Sequence, residues 1–421
     1  MIARTYISEI TPYIGKEKII ILKWARQVGK TTLMKELQRD ISNKDQRAKT
    51  VFLYADKIDT QHIFASPENF IHYLKYTHNF PNDFLYIFID EFQFIQDAGI
   101  FLKNIFDEYK QNLQIIASGS SSLEITKNTE YLTGRSINFY IDRISFWEYF
   151  SYTHDISLPH LTLENFHEIQ EFYTVFGQKL ERDLISYMSY WGYPEVVTRD
   201  DIKVKETILS QIVQTYIEKD IIHLLHIENI TAFNNLIKIL ASNIGNLLNI
   251  HELSNTLNIS MPTLSKYMDI LEWTFVFSKV PPYFQNVRKE LSKMPKIYVE
   301  DLGIKNYSLW ELWAISKKID LWAEIENFIY NELSKKFEKR NIYFYRTVSK
   351  AEIDFVVEVS YKNYILFECK YRNKKTRIPV VMKNFENSYG KSPKIIITKD
   401  YLDKDEDIFY IPASLFSFVH L

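Results

Sequence analysis

Two groups of residues in this chain have types and spacing suited to chemistry on phosphate groups. In the first, Gly29-Lys30-Thr31 follows an apolar run, and the acid pair Asp90-Glu91 closes another apolar run further along the chain. In the second, Asp354 precedes the triplet Glu368-Cys369-Lys370. Lysine ammonium groups and metal-binding carboxylates are the side chains that neutralise phosphate oxygens in enzymes. The chain therefore carries two candidate sites for phosphate chemistry, and each needs a scaffold to position it.

The segment from Lys18 to Met34 has the strand–loop–helix order of a phosphate-binding loop. Backbone N–H groups of such a loop and the N-terminus of its helix attract phosphate. Lys30 is then expected to reach the β- and γ-phosphates, and the Thr31 hydroxyl to ligate Mg²⁺. The predicted site binds ATP, and its binding residues are Arg26, Gln27, Val28, Gly29, Lys30, Thr31, Thr32, Asp90 and Ser120.

One position departs from the phosphate-loop motif. The motif normally begins with glycine, and this chain has Trp24 there. A bulky side chain thus replaces a residue that is used for its backbone freedom. The intact Gly29-Lys30-Thr31 end favours a nucleotide site, and the alternatives are an ordinary strand-to-helix turn or a loop that no longer binds.

The acids Asp90 and Glu91 stand at the end of a predicted buried strand. Ligands of open α/β sheets bind at the carboxyl ends of the strands. Asp90 is predicted to hold Mg²⁺ through its water shell, and Glu91 to orient the attacking water as general base. A pair of solvated acids that closes a strand is the alternative, and Lys30 upstream favours the catalytic interpretation.

Two further polar features follow along the chain. The cluster Ser118–Ser122, with Ser120 as the binding residue, is predicted to sense the γ-phosphate by hydrogen bonding. Arg135 is predicted to stabilise transition-state charge in its own subunit or in a neighbour's, and the second option needs a homo-oligomer. A Gly/Ser turn and a surface ion pair are the respective alternatives.

The C-terminal group is predicted to form a metal site. Alternation along a strand puts Glu368 and Lys370 on one face, and an adjacent strand brings Asp354 to them. Two carboxylates can hold Mg²⁺ or Mn²⁺, with Glu326 on the preceding helix as a further acidic ligand. Lys370 would position a water or stabilise developing negative charge. The alternative is a strand-end ion pair without catalysis.

The amino-acid composition limits the classes of protein that this chain can belong to. The chain has 421 residues, 46% of them hydrophobic and 25% charged, which allows a sizeable core. A formal net charge of −2 gives no global attraction to nucleic acid. The only cysteine is Cys369, which excludes an internal disulfide and fits a reducing compartment. With no apolar run of about 20 residues, a soluble cytoplasmic protein without membrane contact is expected.

Strands and helices alternate in the first part of the chain, which predicts an α/β fold with a parallel sheet. The predicted strands are Ile19–Lys23, Thr50–Tyr54, Phe84–Asp90, Leu113–Ser118 and Ile137–Ile141. In the last part, the predicted order is helix, three strands, helix and strand, over Glu324–Phe337, Ile342–Arg346, Ile353–Val359, Tyr364–Lys370, Val381–Ser388 and Lys394–Thr398.

The middle of the chain is predicted to be mostly helical. Three short helices followed by two apolar β-like stretches, Phe275–Val280 and Lys296–Val299, suggest a winged-helix-like module. If this module binds DNA, its third helix faces the groove and a basic segment contacts phosphates. The groove residues are Thr263, Lys266 and Tyr267, and the phosphate contacts are Arg288, Lys289, Lys293 and Lys296. The alternative is a module that only packs between domains.

Several of these stretches together resemble a prokaryotic family of AAA-type ATPases, in which an uncharacterised C-terminal region follows the ATPase module. The resemblance implies a P-loop ATPase fold that uses ATP and Mg²⁺ and is followed by a helical lid. It rests on Ala25–Thr32, Ile89–Glu91, Ser118–Ser122, Thr133–Ser136 and Ile144–Phe150, and continues through Gly192–Val197, Pro282–Asn286 and Pro295–Gly303.

The Asp354, Glu368 and Lys370 spacing, with its strand order, resembles the PD-(D/E)xK nuclease superfamily. Ile353 stands where that motif usually has proline. The basic run Lys370–Arg377 would bind phosphates, or else it is a solvated loop.

The predicted organisation is therefore α/β with four parts. These are a P-loop AAA-type ATPase core in residues 1–151, a helical lid in 152–230, a winged-helix-like module in 231–311 and an α/β PD-(D/E)xK nuclease-like domain in 312–421. The leading hypothesis is a Mg²⁺-dependent ATPase coupled to the nuclease-like domain and acting on DNA or RNA. The alternative is a non-catalytic nucleotide switch or scaffold, whose degenerate nuclease fold binds a protein partner.

Overall fold

The computed structural model describes residues 2, 4–24, 28–119, 130–159, 161–216, 221–222, 227–284, 290, 293–311 and 321–421. The chain divides into two compact units, Met1–Ile144 and Ser145–Leu421. The finer division into four parts stays a prediction. Five residues with predicted binding roles lie outside the described residues: Arg26, Gln27, Ser120, Arg288 and Lys289.

The first unit contains a parallel five-stranded sheet, with helices in the connections between its strands. The strand order is β2-β3-β4-β1-β5. The strands are β1 Ile19–Trp24, β2 Lys49–Tyr54, β3 Leu85–Asp90, β4 Leu113–Gly119 and β5 Ser136–Ile141. The helices are α1 Tyr6–Ile10, α2 Lys30–Lys44, α3 Ile58–Gln61, α4 Pro67–His78 and α5 Ala98–Tyr109.

The apolar content of the strands explains this sheet. Nearly every residue of β3 and β4 is buried, as expected for parallel strands covered on both faces. Each of the five predicted strands in this unit is present, with one of its ends shifted by one residue. The predicted parallel sheet is thereby confirmed.

The side-chain amide of Gln114 on β4 fixes the turn that leads into β1. Its Nε2 donates to the carbonyl oxygens of Tyr13 at 2.8 Å, Lys16 at 2.9 Å and Lys18 at 3.1 Å. Its Oε1 accepts from the backbone N–H of Gly15 at 2.8 Å. One buried side chain thus bonds to four backbone groups of this turn, in addition to the turn's own hydrogen bonds.

The second unit begins with a helical part. Side-chain caps explain many helix starts; Ser145, for example, forms a capping box with Glu148. The elements are α6 Phe146–His154, β6 Leu161–Thr162, α7 Phe166–Tyr190, α8 Pro194–Val197, α9 Ile202–Gln214, α10 Ile230–Ser242, α11 Ile250–Leu257 and α12 Met261–Trp273. An antiparallel pair follows, β7 Phe277–Val280 with β8 Lys296–Val299, and then α13 Leu302–Ser308.

The three helices α10 to α12 and the β7–β8 pair have the order predicted for the winged-helix-like module. Two residues with predicted DNA contacts are nevertheless buried. Tyr267 is 2% exposed, and its hydroxyl oxygen accepts from the backbone N–H of Asn229 at 3.1 Å. Lys296 is 3% exposed. The expectation that these two side chains face nucleic acid is therefore wrong, because both point into the protein.

The last part of the second unit is a mixed six-stranded sheet with the order β13-β14-β12-β11-β10-β9. Its elements are α14 Trp322–Lys336, β9 Ile342–Arg346, β10 Glu352–Ser360, β11 Asn363–Cys369, α15 Val380–Tyr389, β12 Lys394–Thr398, β13 Asp403–Asp405, β14 Ile408–Pro412 and α16 Ala413–Phe416. The final strand, β15 Val419–His420, pairs in parallel with β6. In the described part of the chain, no helix is both long and apolar enough to cross a membrane.

We expect Gln114→Ala to lower the free energy of unfolding by about 1–3 kcal/mol, because it removes four part-buried hydrogen bonds that contribute roughly 0.5 kcal/mol or more each. Urea denaturation of the full chain measures this. The matched control is Gln38→Ala, because Gln38 makes one part-buried bond, from Nε2 to Thr50 Oγ1 at 3.0 Å. An equal loss in both variants would contradict a special role for Gln114 in the turn.

Candidate functional site

The described end of the predicted phosphate loop, Val28 and Gly29, leads directly into α2. Gly29 is the N-cap of α2 and has φ 89° and ψ 30°, a left-handed conformation that glycine adopts without strain. Lys30 and Thr31 are the first two helical residues. Their side chains therefore lie at the positive end of the helix dipole, where phosphate is favoured.

Asp90 connects the ends of three elements around this loop. Thr31 Oγ1 donates to Asp90 Oδ2 at 2.6 Å, and the Ser118 hydroxyl donates to Asp90 Oδ1. The backbone N–H of Glu91 donates to Ser118 Oγ at 3.2 Å. The threonine hydroxyl and the aspartate carboxylate thus converge, and such oxygen donors fit a Mg²⁺ ion.

Glu91 is held between two partners. Its Oε1 pairs with the ammonium of Lys30, and its Oε2 accepts from Gln93 Nε2 at 2.6 Å. The backbone of Glu91 is left-handed, with φ 56°, which turns the chain sharply after β3. Glu91 therefore competes with a phosphate for the ammonium of Lys30. Gln93 was not predicted from the sequence, and its only signal was its position two residues after Glu91.

The N-terminal segment contributes a contact that no motif indicated. Arg4 is buried, and its Nη1 donates to the carbonyl oxygen of Val28 at 3.1 Å. The guanidinium also donates to the carbonyl oxygen of Asp142, which follows β5. Arg4 therefore fixes the backbone of the phosphate loop from outside it.

Arg135 lies far from this loop along the strands. Its guanidinium makes a bidentate pair with Asp107, with Nε at 2.6 Å and Nη2 at 3.0 Å from the two carboxylate oxygens. Its carbonyl oxygen accepts from the N–H of Ile19 at the start of β1, whereas Lys30 follows the end of β1. The expected role in its own subunit is therefore wrong, because Arg135 lies at the amino ends of the strands and the loop lies at their carboxyl ends. A role in a neighbour's site stays a prediction.

The structure brings Asp354, Glu368 and Lys370 together at the ends of β10 and β11. The backbone N–H of Cys369 donates to Asp354 Oδ2 at 2.8 Å. The ammonium of Lys370 pairs with Glu368 Oε1. Glu368 Oε2 is buried and has no hydrogen-bond partner among the described residues. An unsatisfied carboxylate oxygen in a buried site is a group that a cation would satisfy.

Lys296, from β8, occupies the centre of the neighbouring carboxylates. Its Nζ lies 2.6 Å from Glu352 Oε1, 2.9 Å from Glu326 Oε1 and 3.8 Å from Asp354 Oδ1. The Tyr298 hydroxyl, also on β8, donates to Glu326 Oε1 at 2.6 Å. The predicted ligand Glu326 therefore faces a lysine. Sequence patterns did not indicate this, because Lys296 belongs to a different predicted module.

The charges in this cluster shift one another's pKa values. Burial raises the pKa of Asp354 well above its usual range, and Glu326 and Glu368 raise it further. Burial also raises the pKa of Glu368, although Lys370 opposes this. Burial lowers the pKa of Lys296, but the three surrounding carboxylates outweigh it and leave the pKa above its ordinary value. Lys296 is therefore a charged ammonium inside the protein.

This arrangement does not match the predicted metal site. Among the residues that the structure describes, no group of three or more His, Cys, Asp or Glu side chains is arranged to hold a metal ion. Glu326 and Asp354 instead face the ammonium of Lys296. Metal ligation by Asp354, Glu368 and Glu326 stays a prediction that requires Lys296 to move.

Comparison with known proteins supports a P-loop ATPase domain in the first unit. The model of the family described as "AAA domain" matches residues 16–150, which contain the phosphate loop and the Asp90-Glu91 pair. Two domains of unknown function also match, DUF8612 at residues 181–312 and DUF4143 at residues 323–416. These matches support a P-loop ATPase in the first unit and do not identify a nuclease in the second.

The chain is similar along most of its length to uncharacterized proteins. One, MJ1637 of Methanocaldococcus jannaschii, is 25% identical and covers 94% of this chain and 84% of its own length. Another, from Haemophilus influenzae, is 25% identical over 96% of this chain and 95% of its own length. Among solved structures, the ORC2 protein of Aeropyrum pernix is similar with a TM-score of 0.40 and 10% identity, over 74% of this chain and 92% of that one.

The ion pair between Lys30 and Glu91 generates a prediction about affinity. Because Glu91 competes with phosphate for the Lys30 ammonium, Glu91→Gln should bind ATP about two- to fivefold more tightly than the wild type, the scale of a partly exposed ion pair. Calorimetric titration with ATP and Mg²⁺ measures this. Glu108→Gln, on α5, is the control and should leave affinity unchanged. Weaker binding by Glu91→Gln would show that Glu91 supports nucleotide binding.

Proposed function

We propose that this protein is an ATP-binding, Mg²⁺-dependent ATPase of the AAA type. The observation that carries the proposal is the bond from Thr31 Oγ1 to Asp90 Oδ2, which brings the two predicted Mg²⁺ ligands together beside Lys30. The AAA-domain match over residues 16–150 supports it.

In this mechanism each side chain has a separate task. Lys30 leaves Glu91 and neutralises charge on the β- and γ-phosphates. Thr31 and Asp90 hold Mg²⁺, which when bound stabilises the charge that develops on the phosphate oxygens. Ser118 keeps the Asp90 carboxylate in place through its hydroxyl. The other proposed contacts to the nucleotide are Arg26, Gln27, Val28, Gly29, Thr32 and Ser120.

Glu91 is the proposed general base. Gln93 holds Oε2 of this carboxylate, and Oε1 faces the Lys30 ammonium at the place where phosphate is proposed to bind. A base in hydrogen-bond reach of its water contributes about 10²- to 10⁴-fold to the rate. Arg135 would act in the site of a neighbouring subunit, so this part of the proposal requires a homo-oligomer.

Glu91→Gln should lower ATP turnover by about 10²-fold or more while ATP binding is retained. Steady-state phosphate release and calorimetry measure the two properties separately. Lys30→Ala is the contrasting variant and should lose nucleotide binding itself. Turnover by Glu91→Gln at the wild-type rate would place the base elsewhere, and wild-type protein without ATP binding would refute the proposal.

We further propose that the ATPase is coupled to a nuclease-like domain that acts on DNA or RNA in the cytoplasm. The meeting of Asp354, Glu368 and Lys370 on adjacent strands supports this. The expected ligands of Mg²⁺ or Mn²⁺ are Asp354 and Glu368, with Glu326 in addition. Lys370 would stabilise negative charge on the phosphodiester. On the winged-helix-like module, Lys266 and Lys293 are exposed and could contact phosphates.

A non-catalytic switch or scaffold is the second candidate. The observation that favours it is Lys296, whose ammonium already neutralises the carboxylates that metal would need. In this case nucleotide binding controls the presentation of the second unit to a protein partner.

Asp354→Ala distinguishes the two candidates. If the domain is a nuclease, metal-dependent cleavage should fall by about 10²-fold or more, because a lost metal ligand removes several kcal/mol of transition-state stabilisation. ATP binding should be retained. The assay uses single- and double-stranded DNA and RNA with Mg²⁺ or Mn²⁺, with and without ATP. Asp405→Ala, an exposed surface pair with Lys375, is the control. If neither the wild type nor Lys296→Met cuts any substrate under any condition, the scaffold is supported.

A further inference from the structure

The carboxylates of the nuclease-like site are closed by a strand that comes from earlier in the chain. Lys296 and Tyr298 are two residues apart on β8, so their side chains leave the strand on the same face. Both contact Glu326 Oε1, at 2.9 Å and 2.6 Å. The loop after α10 packs against the same carboxylate, because a Cβ on Gly245 would lie 3.4 Å from Glu326 Oε1.

The backbone of β8 is fixed against the helix that carries Glu326. The Asn327 side chain makes two bonds to Val299 at 2.8 Å, as acceptor from its N–H and as donor to its carbonyl. Asn331 Nδ2 donates to the same carbonyl oxygen at 3.2 Å. An amide that pairs with a strand in this way holds its register, so Lys296 is positioned by the backbone and not only by its own charge.

The ammonium of Lys296 occupies the position between these carboxylates. Its Nζ lies at hydrogen-bond distance from Glu352 and Glu326, whereas Mg²⁺ needs carboxylate oxygens at about 2.0–2.1 Å. Lys296 and a metal ion therefore compete for these oxygens. A divalent ion between Asp354 and Glu326 therefore requires Lys296 to withdraw.

Lys296 also supplies positive charge to this cluster. Glu326, Glu352, Asp354 and Glu368 lie among three cations, Lys296, Lys370 and Arg346. Removing Lys296 takes one positive charge away from these carboxylates, which favours a cation in its place.

We propose that Lys296 is a built-in cation that keeps the carboxylate site of the nuclease-like domain closed to divalent metal. This inference deepens the second part of the proposed function and rests on it for the identity of the site. The proposal makes Lys296 an autoinhibitory residue, because metal binds only in a state in which this side chain has left the cluster. The partly exposed side of the site, at Lys370, is the entry that remains.

The test measures Mn²⁺ binding by the full chain in the absence of nucleotide, by isothermal calorimetry. Lys296→Met should bind Mn²⁺ at this site with a dissociation constant at least about tenfold lower than that of the wild type. The gain should disappear when Asp354→Asn is added. Lys279→Met is the matched control on β7, because Lys279 pairs with the more exposed acids Asp269 and Glu272, and it should show no gain.

A second variant guards against misfolding. Lys296→Met combined with Glu326→Gln removes one charge of each sign, so the buried net charge equals that of the wild type while Asp354 and Glu368 remain. Because Lys296 no longer occupies the site, this variant should also gain Mn²⁺ binding, but less than Lys296→Met does, since one carboxylate ligand is lost. The proposal is overturned if neither variant gains binding while both are folded by circular dichroism, or if the gain survives Asp354→Asn. Tight Mn²⁺ binding by the wild type that is lost in Asp354→Asn would overturn it as well.

The outcomes separate this proposal from the proposed nuclease activity. A Lys296→Met protein that binds Mn²⁺ at Asp354 yet cuts no nucleic acid refutes the nuclease and supports the role of Lys296. If the Lys296→Met protein does not gain Mn²⁺ binding, the proposed role of Lys296 is refuted, whatever the cleavage assay shows. The Lys30 and Glu91 variants test the ATPase separately, because these two residues lie in the first unit.

Discussion

The parallel pairing of β1, β4 and β3 is the constraint on which the nucleotide site depends. Leu22 on β1 lies opposite Ser118 on β4, and Ala117 lies opposite Ile89 on β3. Because parallel strands end at the same edge, this register brings the loop after β1 and the acids after β3 to the same place. Thr31, Ser118 and Asp90 can then form one hydrogen-bonded chain.

The same constraint explains why Arg135 is absent from that edge. It precedes β5, which is also parallel to β1, so it lies at the amino ends of the strands. No side-chain rotation can carry it across the length of the sheet. A residue that serves the nucleotide of its own chain must therefore follow a strand of this sheet or reach the loop from outside it, as Arg4 does.

In the second unit, the buried Lys296 is the residue that connects several elements of the carboxylate site. Lys296 joins the β7–β8 pair to α14 and β10 through Glu326 and Glu352. Removing one partner of a buried ion pair typically costs about 3–5 kcal/mol, since the other charge is left uncompensated. The predicted winged-helix-like module and the predicted nuclease-like domain therefore share a charge cluster, and both belong to the same compact unit, Ser145–Leu421.

The sequence by itself determined the local elements and the residue types of both sites. Strand limits followed from apolar runs, and the Gly29-Lys30-Thr31, Asp90-Glu91 and Glu368-Cys369-Lys370 motifs were visible because their members are close along the chain. Only the tertiary structure decided which distant residues meet. It placed Lys296 inside the carboxylate cluster, buried Tyr267 in the core, and put Arg135 at the amino ends of the strands. Periodicity reports which face of an element is apolar, and it does not report which distant charge that face will meet.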